Sequence, residues 1–330
     1  MNMAMISALT GCFAAGLMVA AAAEPPVAVI FDTDIMGDVD DVGAVAMLHA
    51  LADAGEARIL ATGVSSRHPD SPSCLSAFNH YFGRPDLPIG RPAFDAFRRD
   101  SKYATAIAAE FPHRLKSAKE APPAPGLYRR VLAGAPDHSV VVISVGQLTN
   151  LRDLLYTLPD ESSSLSGIEL VRRKVRLWVC MGGKFPSGRE ANLFHDGPAA
   201  ADAIAHWPTP IVFSGFEIGR RIKTGGALHR LPAKHPVRRA YELYNGVRPH
   251  FSWDQTAVLY AIRPGTRDWR LSAPGRCHVF PDGTNRWLSQ ADGRHRYLIQ
   301  QADPQATARV IESLMLGNAA APGSAAHVAP

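Results

Sequence analysis

Val27-Ala28-Val29-Ile30-Phe31-Asp32-Thr33-Asp34-Ile35-Met36-Gly37-Asp38-Val39-Asp40-Asp41 is the stretch on which the reading of this 330-residue chain turns. Its first five residues form a continuous apolar run, the pattern of a strand buried on both faces of a parallel sheet. Five carboxylates follow within ten residues. Asp41 to Leu51 then reads as a helix, with Val42, Val45, Ala46 and His49 on one face and Asp40 or Asp41 at its start. A strand that runs through an acidic loop into a helix places that loop outside the strand's carboxyl end, where open α/β sheets bind ligands. Carboxylates so concentrated repel one another unless a cation neutralises them, and a hard divalent metal is the natural partner. Helix capping explains one or two of these acids, not five. The spacing is not that of an EF-hand loop, which needs Gly at its sixth position and Glu at its twelfth.

The pattern continues outward. Arg58–Val64, Val140–Val145, Val175–Cys180 and Pro210–Ser214 read as further strands, with helical stretches over 74–82, 148–158 and 198–206. Strands alternating with helices predict an α/β fold, an open and mainly parallel sheet flanked by helices. Ala121–Gly126 reads as a loop inside this alternation, not as a domain boundary, so residues 24–316 are expected to form one domain. From Gly317 the small, Pro-containing tail reads as frayed.

Composition narrows the class without naming a chemistry. Apolar residues at 46% and charged residues at 20% are ordinary globular values, which excludes disorder, collagen and coiled coil. Met1–Ala23 carries no charged side chain and ends in small residues before Glu24-Pro25-Pro26, the pattern of a signal peptide cleaved near Ala23. Export to the periplasm or medium is expected, with lipoprotein processing at Cys12 or an uncleaved anchor as the alternatives. No other stretch is long and apolar enough to span a bilayer. Cys74, Cys180 and Cys277 are widely spaced and odd in number, so they read as small buried hydrophobes. The basic run Arg172-Arg173-Lys174 lacks interleaved aromatics and reads as a solvated edge, and no nucleic-acid partner is expected.

Two resemblances bear on the acidic loop. A strand followed by Phe31-Asp32-Thr33-Asp34 resembles the aspartyl-phosphate phosphatases of the haloacid dehalogenase type, which implies Asp32 as nucleophile, Asp34 as acid and magnesium as cofactor. The second resemblance covers Val27 to Pro264. Asp32 to Asp41 is similar to the DTDxxxDD signature of the inosine-uridine-preferring nucleoside hydrolases, with two extra residues. Val145-Gly146-Gln147-Leu148-Thr149-Asn150 is similar to that family's TGPLTN turn, and Met181-Gly182-Gly183 to its MGG strand end. Glu190-Ala191-Asn192 with Asp196 resembles its EFNxxxDP segment, and Trp253-Asp254-Gln255-Thr256-Ala257-Val258 stands where it has HDPLAV.

The nucleoside hydrolase resemblance implies calcium-dependent hydrolysis of an N-glycosidic bond. Calcium would be held by Asp34, Asp41, Asp254 and the Val145 carbonyl, with Asp34 also the general base. Glu190 and Asn192 would hold sugar hydroxyls, and Met181 would pack beneath the ring. The insertion leaves Asp38 and Asp40 as alternatives for the ribose-facing acid, and Asp32 supports the loop. The resemblance also implies a small N-riboside substrate and a homodimer or homotetramer. Two departures stand out. Trp253 replaces a His that protonates the leaving base, and indole has no titratable proton at neutral pH; Trp253 is therefore expected either to stack on the base or to fill the core. Ser65-Ser66-Arg67-His68 replaces a sugar-binding Asn, which makes His68 a candidate acid, ahead of His195 and His250. These departures also admit a catalytically silent sugar- or nucleoside-binding protein on the same scaffold.

Overall fold

The apolar run before the acidic loop is a strand, Val27–Thr33, buried along nearly its whole length. It lies inside an 11-stranded sheet. From one edge the order is Ile89–Gly90, Ala57–Val64, Val27–Thr33, Val140–Ser144, Val175–Met181, Ile211–Ser214, His295–Gln300, Gly275–Val279, Thr284–Ser289 and Ser187–Arg189. The strands from Ile89–Gly90 to His295–Gln300 pair in parallel. The remaining neighbours pair antiparallel, and Trp269–Leu271 joins His295–Gln300 antiparallel, off the main path. The computed structural model describes residues 25–318. The leader Met1–Ala23, with Cys12, and the tail from residue 319 onward lie outside the described residues.

The strand order fixes where a ligand can sit. From Val27–Thr33 the chain adds Ala57–Val64 and Ile89–Gly90 on one side, then returns to add Val140–Ser144 on the other. The carboxyl ends of Val27–Thr33 and Val140–Ser144 therefore flank the point where the winding reverses, the ligand-binding crevice of an open α/β sheet. Asp34 and Val145 emerge there. Val29 and Phe31 pack into the core on one face of the sheet, Ile30 into the core on the other.

The strands and helices expected from apolar runs are present within a residue or so at most ends. The exceptions have physical causes. The helix Asp40–Asp53 is buried on all sides from Asp40 to Leu51, not on one face, because it is sandwiched among helices Pro236–Asn245, Trp253–Ile262 and Pro304–Met315. Gly43 permits this: a Cβ there would lie 2.3 Å from Gln255 Nε2 and 3.0 Å from Tyr241 Oη. The expected loop over 121–126 gives way at Ala124 to the helix Ala124–Ala133, with Pro125 in the first turn, where its missing N–H costs nothing. The antiparallel extension after residue 264 carries short alternating patterns that a search for continuous apolar runs passes over. Arg173 and Lys174 pair with Asp137 at 2.9 Å, consistent with a solvated edge. Cys74, Cys180 and Cys277 are free and buried. Among the described residues, no helix is long and apolar enough to cross a membrane.

Candidate active site

Neither Asp40 nor Asp41 caps its own helix; the N-cap is Val39, without a side-chain hydrogen bond. Both carboxylates reach elsewhere. Asp41 accepts the Thr33 hydroxyl and, at 3.1 Å, the Ile35 amide, which ties it to the end of the first strand. Asp40 accepts the amides of Trp253 and Asp254 at 3.1 and 3.3 Å and so caps the helix Trp253–Ile262. Asp34 accepts Gln147 Nε2 at 2.7 Å, which joins the acidic loop to the turn after Val140–Ser144. Gly146 makes that approach sterically open, since a Cβ would fall 2.6 Å from the Asp34 nitrogen. Between these anchors Ile35 has φ +34°. For a β-branched residue this is strained backbone, held by the amide bond to Asp41 and by the Ser71 hydroxyl on its carbonyl at 3.0 Å.

Asp34, Asp38, Asp40, Asp41 and Asp254 line one cavity of 330 Å³ together with Val145, Met181, Glu190, Asn192 and Trp253. Carboxylate oxygens of Asp40, Asp41 and Asp254 lie within 4.8 Å of one another. Burial, with the charge of Asp38, pushes Asp34 up to about 6. Burial and neighbouring carboxylates hold Asp40, Asp41 and Asp254 well above the usual range. Beside Asp34, Gln147 Oε1 and Ser65 Oγ are buried without a partner among the described residues. Three buried, mutually repelling carboxylates, Asp40, Asp41 and Asp254, beside the partly buried Asp34 and with no ion pair to a lysine or arginine among the described residues, are stabilised as anions by a cation among them. An all-oxygen set of this kind fits a hard divalent metal.

The opposite part of the cavity is built by 181–192. Glu190 accepts the amides of Asn192, Gly183 and Leu193 at 2.8, 3.1 and 3.3 Å, and burial raises it to about 7. Asn192 Nδ2 donates to the Met181 carbonyl at 3.2 Å, which fixes its side chain beside the thioether.

No protein-family model matches the sequence, and no curated protein matches it significantly. Solved structures do. The inosine-uridine preferring nucleoside hydrolase from Bacillus anthracis superposes with TM-score 0.68 at 15% identity, over 88% of this chain and 99% of that one. A purine-preferring ribonucleoside hydrolase from Gardnerella vaginalis gives TM-score 0.66 at 16% identity over 89% and 100%. The type III effector protein XopQ, in complex with adenosine diphosphate ribose, gives 0.64 at 15% over 88% and 94%. The chain has the nucleoside hydrolase fold.

On the nucleoside hydrolase fold, Asp34, Asp38, Asp40, Asp41, Val145, Met181, Glu190, Asn192, Trp253 and Asp254 meet in one place, whereas His68, His195, His250 and Asp32 lie outside it. His68 lines a separate cavity with Arg67, Pro72 and Asp95, where its Nδ1 accepts the Asp70 amide at 3.2 Å. The loop after Ala57–Val64 turns it away from the acids, so it is not placed to protonate a base in the site. Trp253 lines the site but spends its ring N–H on the Phe216 carbonyl at 2.9 Å and stacks on the Phe216 ring. It serves as an aromatic wall. His195 stacks on Phe97, with ring centroids 3.9 Å apart, and His250 lies 3.8 Å from Asp38; neither lines the cavity. Asp32 is fully buried and outside the cavity, where Tyr128 and Asn150 donate to its Oδ2. A nucleophilic Asp32 of the dehalogenase type therefore has no access to substrate. Sequence reasoning missed Phe216, Arg189 and Phe194, which also line the cavity. An aromatic or Arg in a short irregular segment carries no periodic signal that separates a wall residue from a surface one.

Proposed function

We propose that this protein is a calcium-dependent hydrolase that cleaves the N-glycosidic bond of a ribonucleoside or related N-riboside, giving ribose and free base. The observation that carries the reading is the convergence of Asp34 and Asp41 from the acidic stretch with Asp254 from a distant helix, in one cavity with Val145, Met181, Glu190 and Asn192. The shared fold with solved nucleoside hydrolases supports it. Asp34, Asp41, Asp254 and the Val145 carbonyl would hold the metal, which would lower the pKa of a bound water and orient the ribose diol.

The chain's own groups supply the rest. Gln147 holds Asp34 through its Oδ2 and orients the carboxylate that would take the proton of the attacking water. Glu190 and Asn192, fixed by their bonds to 181–193, present the remaining polar edges to sugar hydroxyls. Asp40 and Asp38 both line the cavity; Asp40 is held as a helix cap, while Asp38 is half exposed at the mouth. Trp253 and Phe216 offer an aromatic face to the base and exclude water from it. No titratable donor stands where Trp253 stands, so the reading favours a base that leaves without protonation from that position.

The test is reducing-sugar release from a panel of purine and pyrimidine nucleosides, with calcium and with a chelator. Release that depends on calcium and falls by about 100-fold or more in Asp34→Asn is expected. Full activity in that variant after thorough calcium removal would overturn the mechanism. Calcium-dependent binding without turnover would assign the chain to a silent binding protein instead. Export through Met1–Ala23 belongs to the same proposal, with an extracellular nucleoside scavenger as the physiological role.

A further inference from the structure

Arg189 ends the edge strand Ser187–Arg189, immediately before Glu190. It lines the cavity and is exposed. Its guanidinium carbon lies 3.3 Å from the centroid of the Phe194 ring, which lines the same cavity. Stacking of this kind fixes the plane of the guanidinium and leaves its N–H edge free for a planar or tetrahedral oxyanion. Among the described residues no carboxylate forms an ion pair with Arg189. Asp282, whose charge it influences, spends Oδ1 on the Thr284 amide at 2.9 Å and the Thr284 hydroxyl at 2.7 Å.

A second cation stands nearby. A Cβ on Gly37, in the acidic loop, would meet Arg99 at 3.5 Å, and Arg99 and Arg189 both act on His195. Carboxylates and the Arg189 guanidinium thus line one cavity, with Arg99 outside its lining. A neutral nucleoside gives that guanidinium no anion to bind. Glu190 and Asn192 form the sugar end of the cavity in the reading above, and Arg189 and the Phe194 on which it stacks line the cavity from the same segment, 189–194.

We propose that Arg189 makes the sugar end of this cavity an oxyanion site, so that the substrate is an N-riboside phosphorylated on its ribose 5′ oxygen. This rests on the reading of the cavity as an N-riboside site and deepens it. Glu190 and Asn192 bind what the ribose retains, and the Arg189 fork takes two phosphate oxygens. The metal end of the reaction is unchanged.

Binding of ribose 5-phosphate and of ribose, measured by calorimetry with calcium present, tests the site without requiring turnover. The phosphorylated sugar is expected to bind about 10–100-fold more tightly, the range of charge-assisted hydrogen bonds. In Arg189→Gln that ratio should collapse towards one, and Arg189→Lys should restore part of it, since a point charge cannot make the paired contact. Equal affinities in the wild type, or a preference that persists in Arg189→Gln, would overturn the proposal. Inorganic phosphate as competitor separates the sugar-linked site from general anion binding: displacement of ribose 5-phosphate by phosphate at equal concentration would also count against it. A parallel comparison of base release from uridine and uridine 5′-monophosphate keeps the two readings apart. If neither is cleaved while the binding ratio holds, the hydrolase reading fails and the oxyanion site stands.

Discussion

Asp40 caps a helix that begins 213 residues further along the chain, through its Oδ2 and the amide of Trp253 at 3.1 Å. The bond fixes the helix that carries Asp254 against the helix that carries Asp41. One carboxylate therefore sets the distance between two others.

Replacing Asp40 separates its two roles. Asp40→Asn keeps an acceptor for the Trp253 amide and removes one charge from a repelling cluster. Asp40→Ala removes both. In chelator, Asp40→Ala is expected to be less stable than Asp40→Asn by about 0.5–2 kcal/mol, the usual worth of an N-cap. Denaturant titration of the two variants measures this directly, and equal stability would show that the cap contributes nothing.

Metal should stabilise the protein more as pH rises. In the metal-free protein Asp34 has a folded pKa of about 6, above its unfolded value. The native state then holds the extra proton between the unfolded value of about 4 and about 6, so this group's contribution falls as pH rises through that window. A bound divalent cation needs the deprotonated form and reverses the penalty. The rise in Tm on adding calcium is thus expected to be larger near pH ~7.5 than near pH ~5. Asp254→Asn should abolish most of that rise at both values, and an unchanged calcium shift in this variant would remove Asp254 from the ligand set.

Gly146→Ala tests the contact between the acidic loop and the turn after Val140–Ser144. Its Cβ would lie 2.5 Å from Ser65 Oγ and 2.9 Å from Asp34 Cβ. Overpacking of this kind costs about 1–3 kcal/mol. The displaced Asp34 should lower kcat/KM by about 100-fold. Thermal unfolding and steady-state kinetics on one preparation give both numbers.

His49 gives the opposite pH dependence to the acids. Burial pushes it down to about 4, and Arg84, which can only donate, lies 3.2 Å from its Nδ1 while Nε2 faces Asn79 Oδ1 at 3.0 Å. The neutral Nε2–H form is the one that fits. Its folded pKa lies below the unfolded value of about 6.5, so the contribution is complete above that value and is lost as pH falls from about 6.5 to about 4. At most it is on the order of 3 kcal/mol. Stability of His49→Gln, followed by denaturant titration across that range, should fall less steeply than that of the wild type; parallel slopes would show that His49 does not titrate there.

Much of the site is legible in the sequence. The apolar run Val27–Phe31 with five acids behind it implies a buried strand and a loop of acids that could hold a cation, because strand burial and charge repulsion are local properties. Val145, Met181, Glu190, Asn192 and Asp254 were found through ordered short motifs, and the structure brings them to one cavity. His68 lies in a separate cavity because its position depends on which way a loop turns, and that loop is held by long-range bonds from Ser66 Oγ to the Asp34 carbonyl at 2.8 Å and from the Arg67 amide to the Phe97 carbonyl at 2.9 Å.

The sequence by itself determined the parallel α/β core, the metal-seeking loop and the absence of a titratable donor at position 253, since these follow from residue type and spacing. Only the tertiary structure decided that Asp40 serves a distant helix, that Asp32 is walled off behind the site, that Trp253 pairs with Phe216, and that Arg189 stands over Phe194 without a carboxylate ion-pair partner among the described residues. The first three are contacts between segments far apart in the chain, and the last is a local contact that residue spacing alone does not reveal. Local pattern fixes what a side chain can do; long-range packing selects which partner it meets.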